Sequence, residues 1–233
     1  MPLRAVLFDA GGTLINPDYG RVLGVMTRVL GRAPRQEAFV EAEYAGRAAV
    51  EAAMAGNGAS SDGDRWMIHF VAMFAALGYD PEEVRALSPQ VVAEHRRANL
   101  WTEPQPGAAD GLAALRRAGF VVGCVSNADG TVDRLLAGAG LAEHLAFIVD
   151  SGVVGVEKPD PRIFAIALEH AGVAPAEALY VGDLYPVDVV GARRAGIEPV
   201  LLDPLGRYGD RDCRTARDVP TLCRELVASR PAP

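Results

Sequence analysis

Residues 3–14 read LRAVLFDAGGTL: a mostly apolar run, Leu3–Phe8, stops at Asp9 and passes into Gly11, Gly12 and Thr13. A short apolar run that ends in an acidic residue and glycines predicts a buried strand feeding a tight turn. The pattern recurs. Phe120–Val125 ends at Ser126-Asn127, Ala146–Val149 is a short third run, Leu179–Val181 ends at Gly182-Asp183, and Pro199–Leu202 precedes Asp203-Pro204. Between these runs Ala108–Ala118, Thr131–Ala139, Pro161–Ala171 and Val187–Ala195 carry helical periodicity, with Gly119, Gly172 and Gly196 as closing residues. Buried strands alternating with helices predict an α/β fold: a Rossmann-like parallel sheet core with helices on both faces.

One interval breaks the alternation. From Asn16 to about Trp101 no strand is predicted, and helical patterns cover about Tyr19–Leu30, Arg35–Met54, Asp64–Leu77 and Pro81–Arg97. The breaks fall at Gly31–Pro34, Gly56–Gly63 and Gly78–Pro81. Such a block reads as an inserted all-helical cap domain, residues 16–102, carried by a core made of residues 1–15 and 103–233, with hinges near Asn16-Pro17 and Glu103–Gly107. The Arg/Asp-rich stretch Arg207–Arg217 reads as a solvated surface segment.

The composition narrows the partners. Half of the 233 residues are hydrophobic and the net charge is −7, which suits a globular core and opposes sequence-independent nucleic-acid binding, since that needs a basic face. No stretch approaches the roughly 18 apolar residues of a membrane span, and the N-terminal apolar run is too short for a signal peptide. Cys124, Cys213 and Cys223 have no metal-like spacing and read as reduced thiols of a cytoplasmic protein. Nothing in the sequence bears on oligomeric state. Of the 23 lysines and arginines a single one, Lys158, is lysine.

Open α/β sheets bind ligands beyond the carboxyl ends of their strands. Those ends carry Asp9, Ser126-Asn127 and Gly182-Asp183 followed by Asp188, and the loop after the third strand carries Lys158. Carboxylates, a hydroxyl, an amide and one ammonium are therefore predicted to converge on one edge. Asp9 is placed to face a ligand in line, and Gly11 and Gly12 let the backbone approach it closely. Thr13 offers a hydroxyl or a cap. Asp183 and Asp188 form GDxxxxD, a pair suited to a hard cation such as Mg²⁺, which takes one or two carboxylates along with water and phosphate oxygens. Lys158, inside EKPDP, can neutralise a phosphoryl oxygen and the Asp9 carboxylate together.

Four segments, VLFDAGGTL (Val6–Leu14), VVGCVSN (Val121–Asn127), VEKPDPRIF (Val156–Phe164) and YVGDLYPVDVVGARRAG (Tyr180–Gly196), resemble in order and spacing the motifs of the haloacid dehalogenase (HAD) superfamily of aspartate-nucleophile hydrolases. They span the chain apart from the insert and the C-terminal tail. The insert resembles the helical cap of the branch holding phosphoglycolate phosphatase, β-phosphoglucomutase and the haloacid dehalogenases. The resemblance implies Asp9 as nucleophile and Lys158 as its catalytic partner. It implies phosphate binding by Gly12, Thr13, Ser126, Asn127 and Lys158. It also implies an Mg²⁺ site made by Asp9, the carbonyl of Gly11 and Asp183, with Asp188 acting through water or orienting the shell. The substrate implied is a small phosphorylated metabolite.

The sequence departs from that family at one position. Most phosphatases of the family read DxDGT, where the second aspartate is the general acid and base; here the position is Gly11. A glycine transfers no proton, a loss of roughly 10²–10⁴ in rate unless another group serves. Asp129, the cap or the substrate itself could supply it. The histidines of the cap are His69 and His95, the residue type suited to proton transfer near neutrality, but His69, inside WMIHFVAMF, reads as a packed helix histidine, and Trp66, Met67, Phe70, Met73 and Phe74 read as helix core. The phosphonoacetaldehyde hydrolases, which need a cap lysine, are excluded because the insert has none. Three readings stay open: Mg²⁺-dependent phosphate-ester hydrolysis through an aspartyl-phosphate, 2-haloacid dehalogenase-type carbon–halogen hydrolysis, and a weakly active or non-catalytic phosphate-binding member. The retained Asp183 and Asp188 favour the first, because they crowd an anionic site that has no cation.

Overall fold

Ala5–Phe8 (β1) are fully buried, as a strand covered on both faces must be. The computed structural model describes residues 2–56 and 61–230. In chain order, β2 (Ile15–Pro17) is followed by helices α1 (Tyr19–Leu30), α2 (Ala38–Ala55), α3 (Asp62–Ala76) and α4 (Pro81–Arg97). After them come β3 (Trp101–Pro104), α5 (Ala108–Arg117), β4 (Val121–Ser126), α6 (Val132–Gly138), β5 (Phe147–Asp150), α7 (Ser151–Val154) and α8 (Pro161–Ala171). The chain continues with β6 (Ala178–Gly182), α9 (Val190–Arg194), β7 (Glu198–Leu202), β8 (Arg214–Ala216) and α10 (Val219–Ser229). Part of the predicted helix break at Gly56–Gly63, residues 57–60, lies outside the described residues.

Six strands form one parallel sheet in the order β5-β4-β1-β6-β7-β8. Its order reverses around β1, so the ends of β1, β4 and β6 open side by side. Ala5, Leu7, Val125 and Tyr180 pack with Ile163 and Phe164 of α8 in one cluster. The alternate residues Val6, Phe8, Val122 and Cys124 are equally buried, which the two-residue period of a strand requires of a sheet covered on both sides. Residues Met1–Asn16 and Thr102–Pro233 make one compact unit, and Pro17–Trp101 a second.

The second unit is a bundle of α1–α4. Val22, Met26, Phe39, Phe70, Met73, Phe74, Leu87 and Val91 form its core. Its helix starts follow local chemistry: Asp80 accepts from the backbone of Glu82 and Glu83 and precedes Pro81 at the first helical position. Arg21 ties α1 to α4 through the Glu94 carboxylate at 2.9 Å and through the carbonyls of Ala98 and Asn99.

Two details correct the sequence reading. Arg214–Ala216, inside the stretch expected to be solvated surface, is the edge strand β8, paired in parallel with β7. Its residues are exposed or half-buried, so no buried alternation marked it. The interval expected to lack strands is bracketed by β2 and β3, which pair as a short two-stranded sheet.

Candidate active site

Asp9 follows β1, and its N–H still bonds the Val181 carbonyl at 2.8 Å, so the sheet ladder fixes the carboxylate at the edge. The chain then folds back on itself: the N–H groups of Leu14 and Ile15 both reach the Ala10 carbonyl. Gly12 donates to the Ile15 carbonyl at 2.8 Å, and its φ of +75° lies in the left-handed region. A Cβ at Gly12 would sit 2.3 Å from Oδ2 of Asp183. The glycine is there to admit that carboxylate. Gly182 plays the same part for Asp188, whose Cγ would be 2.3 Å from a Cβ at that position. Gly12 and Gly182 are thus each covered by an aspartate.

Asp9, Asp183 and Asp188 each offer an oxygen within 4.8 Å of the others. Lys158 enters from the loop before α8 and is 2% exposed. Its ammonium donates to Asp9 Oδ1 at 2.6 Å, to Asp188 Oδ1 at 2.8 Å and to the Tyr180 hydroxyl at 2.9 Å. Burial disfavours the charge, but Asp188 and then Asp9 hold the ammonium well above its ordinary range. Asp9 goes the other way. Burial pushes its carboxyl up to about 8, Asp188 and Asp183 add to the rise, and Lys158 opposes it.

The second acid of GDxxxxD is fully engaged by the protein. Asp188 lies in a single π-helical turn, Tyr185–Val189, an irregularity common at functional sites. Its Oδ1 accepts from Lys158 and from Tyr180 at 3.2 Å, and its Oδ2 accepts from the N–H groups of Asp183 and Leu184 at 3.2 and 2.9 Å.

Across β1, Ser126 ends β4 and is buried, with its hydroxyl 3.5 Å from the Asn127 carbonyl, too long for a firm bond. Asn127 spends its side chain on the protein: Oδ1 accepts from the Lys158 N–H at 2.8 Å and Nδ2 donates to the Lys158 carbonyl at 3.0 Å. Its amide therefore holds the lysine loop. Thr13 is fully buried and its Oγ1 has no partner. Gly11 is half-buried and bridges to Ile15. Asp129, considered as a substitute acid, is exposed and bonded to the Thr131 hydroxyl.

Three residues have parts in this site to which the sequence assigned no role. Tyr180 sits mid-strand between apolar neighbours, where an aromatic reads as core. Asp150 and Ser151, at the end of β5, shape the loop after β4. Asp150 accepts from the N–H groups of Gly130, Val132 and Gly152. Ser151 accepts from the Ala128 N–H and donates to its carbonyl. Polar residues at a strand end were the available cue.

In the helical unit His69 is packed, as its apolar context suggests, with its ring edge-on to Phe70. It is also paired, with Nε2 3.0 Å from Oε2 of Glu43. Phe70, Met73 and Phe74 are buried core, and Trp66 packs against Phe70.

This geometry matches a known class of protein. The family model of haloacid dehalogenase-like hydrolases matches residues 3–196, and the chain belongs to that hydrolase family. It is 42% identical over 127 residues to a phosphoserine phosphatase of Thermus thermophilus, covering 54% of this chain and 49% of that protein. It therefore spans about half the length of that relative. A phosphoglycolate phosphatase of Thiobacillus denitrificans is 31% identical over 215 residues, with 88% of this chain and 85% of the relative covered. Among solved structures, the magnesium-bound HAD hydrolase YfnB of Bacillus subtilis superimposes with a TM-score of 0.67 at 18% identity, over 97% of this chain and 99% of that one. That likeness concerns the fold alone, which dehalogenases share. None of the described helices is long and apolar enough to cross a membrane.

Proposed function

We propose that this chain is a phosphatase of a small phosphorylated metabolite, that Asp9 is its nucleophile, and that a divalent cation such as Mg²⁺ completes the site. One observation carries the reading. Three carboxylates, Asp9, Asp183 and Asp188, bring oxygens within 4.8 Å of one another at the strand ends, with Asp9 and Asp188 sharing one buried ammonium, and clustered hard oxygen donors are the donor set that Mg²⁺ takes. The residues fit that ion. Asp9 and Asp183 would hold it with the Gly11 carbonyl, while Asp188, its oxygens already engaged, orients Lys158 and the Asp183 backbone. When bound, the cation supplies charge neutralisation to a phosphoryl group and to the carboxylate that attacks it.

The chain's own residues do the remainder. Asp9 attacks phosphorus through a carboxylate oxygen, and the phosphorus–oxygen bond of the ester breaks as an aspartyl-phosphate forms, the leaving oxygen departing with the bonding pair and taking a proton from water to release the alcohol. Lys158 steadies the attacking carboxylate and a phosphoryl oxygen, and Ser126 offers its loosely held hydroxyl to another. Gly12 and Thr13 line the approach. Water then hydrolyses the aspartyl-phosphate and restores Asp9. Residues 16–102 act as the cap whose side chains select the substrate. Two relatives named as phosphatases, of phosphoserine and of phosphoglycolate, support phosphate esters over carbon–halogen bonds.

The test is a panel of phosphometabolites assayed for phosphate release with Mg²⁺ and with EDTA. The expected outcome is release that needs the metal. Halide release from 2-haloacids that survives EDTA, or phosphate binding without turnover of any ester, overturns the proposal.

A further inference from the structure

We propose that Tyr180 is a positioning residue for the proposed phosphoryl transfer: its phenol oxygen takes the third proton of the Lys158 ammonium and so aims the other two at Asp9 and Asp188. The inference rests on the reading of Asp9 and Lys158 given above, and gives a role to a residue that the sequence left without one.

An ammonium has three N–H donors and no acceptor. Buried, a proton left without a partner is destabilising. In this site the count closes on three oxygens, Asp9 Oδ1 at 2.6 Å, Asp188 Oδ1 at 2.8 Å and Tyr180 Oη at 2.9 Å. Two of the three acceptors are carboxylates that could each draw the ammonium away from the other. The phenol sets its rotation.

Tyr180 is itself fixed from three sides. Its ring is fully buried in β6 and packs edge-on to Phe164 at 4.9 Å. Its hydroxyl lies 3.2 Å from the Val125 carbonyl in β4 and 3.2 Å from Asp188 Oδ1. The phenol thereby bridges β6 and β4, the two strands that flank the strand leading to Asp9. A phenylalanine would fill the same space without an acceptor for the ammonium. The oxygen is explained by the lysine.

The sequence supplies an unusual probe. Lys158 is the only lysine of the chain, so protein labelled with ¹⁵N-lysine gives one side-chain ammonium resonance with no assignment needed. In the wild type we expect that resonance to be observable and protected from exchange. In Tyr180→Phe it should shift and exchange at least about tenfold faster, while kcat for the best phosphoester falls about 10- to 100-fold with KM within about threefold, the size of effect typical of outer-shell partners. Phe164→Leu, which loosens the packing around the ring and keeps the hydroxyl, should lower the melting temperature and leave both the resonance and kcat close to wild type.

An unchanged resonance in Tyr180→Phe overturns the proposal, and so does a changed resonance with unchanged kcat. A wild-type resonance lost to fast exchange overturns it as well. If the wild type turns over no phosphoester, the proposed function fails by itself, and the resonance still decides whether the phenol holds the ammonium. Should Tyr180→Phe fail to fold, global 3-fluorotyrosine labelling weakens the phenol as an acceptor with the ring in place, and the same shift is expected.

Discussion

In the α/β unit a tyrosine and a lysine share a buried site with three carboxylates; in the helical unit a tyrosine, an arginine and a histidine surround one. Glu43 accepts from the Tyr19 hydroxyl, lies 3.0 Å from His69 Nε2 and 3.9 Å from Arg47 Nη2. Burial raises its pKa, but His69, then Arg47 and the Tyr19 hydroxyl, outweigh that and hold the carboxyl at about 2. Burial pushes Asp9 up to about 8, with the ammonium it shares with Asp188 opposing the rise and the Asp188 and Asp183 carboxylates adding to it. The parts are alike and the charge balance differs. A cluster whose charges are met from within is a structural device, whereas one left with surplus negative charge holds a place for a ligand.

The strongest way to break that comparison is to remove the charge from each. Asp9→Asn should abolish phosphate release, by roughly 10³-fold or more, because the proposed nucleophile is lost. It should also leave the fold more stable, since an amide there escapes the burial penalty and the Asp188 and Asp183 repulsion that outweigh Lys158 at the carboxylate. A fall in melting temperature would show that the α/β site is charge-balanced after all. Gly11→Asp tests a second shortage, that of a proton donor. For alkyl phosphates, whose leaving groups need a proton, it should raise turnover by about 10²-fold, the lower range for a general acid, and change aryl phosphates little. Equal effects on both series would place the missing acid elsewhere in the wild type.

The two clusters were not equally legible in the sequence. Asp9, Asp183, Asp188 and Lys158 stand at strand ends and beside glycines or prolines, and the parallel sheet brings strand ends together whatever lies between them. Local chain rules therefore predicted their meeting. Tyr19, Glu43, Arg47 and His69 lie on three helices of the second unit, and only the packing angles of the bundle decide which polar residues meet. No spacing encodes that. The roles within the α/β site were less legible than its membership. Asn127 reads as a ligand donor by residue type and spends its amide on the Lys158 backbone. Tyr180 reads as core by its neighbours and has its hydroxyl on the lysine. Edge strand β8 escaped because a strand paired on one side and exposed on its faces needs no apolar pattern.

Glu43 supplies the complementary stability test. Glu43→Gln should cost about 2 kcal/mol in urea unfolding, because the contacts of Glu43 with the buried Arg47 and with His69 lose their carboxylate. The same substitution in an Asp9→Asn background should cost the same amount, as expected for independent clusters. A non-additive result would join what the charge balance keeps apart.

The smallest effect concerns acid. The folded-state pKa of Glu43, about 2, lies below its ordinary 4.5, so the stability it contributes is whole above about pH 4.5 and is lost as pH falls toward 2. By pH 4 the unfolded chain already takes up the proton that the folded protein refuses, and linkage puts the loss at about 1 kcal/mol. Wild type should therefore lose stability between pH 5 and pH 4 faster than Glu43→Gln does, with the two urea midpoints converging. Parallel curves would mean that His69 and Arg47 do not hold the carboxylate ionised. The helical cluster would then owe its burial to packing alone, and the contrast with Asp9 would lose its electrostatic basis.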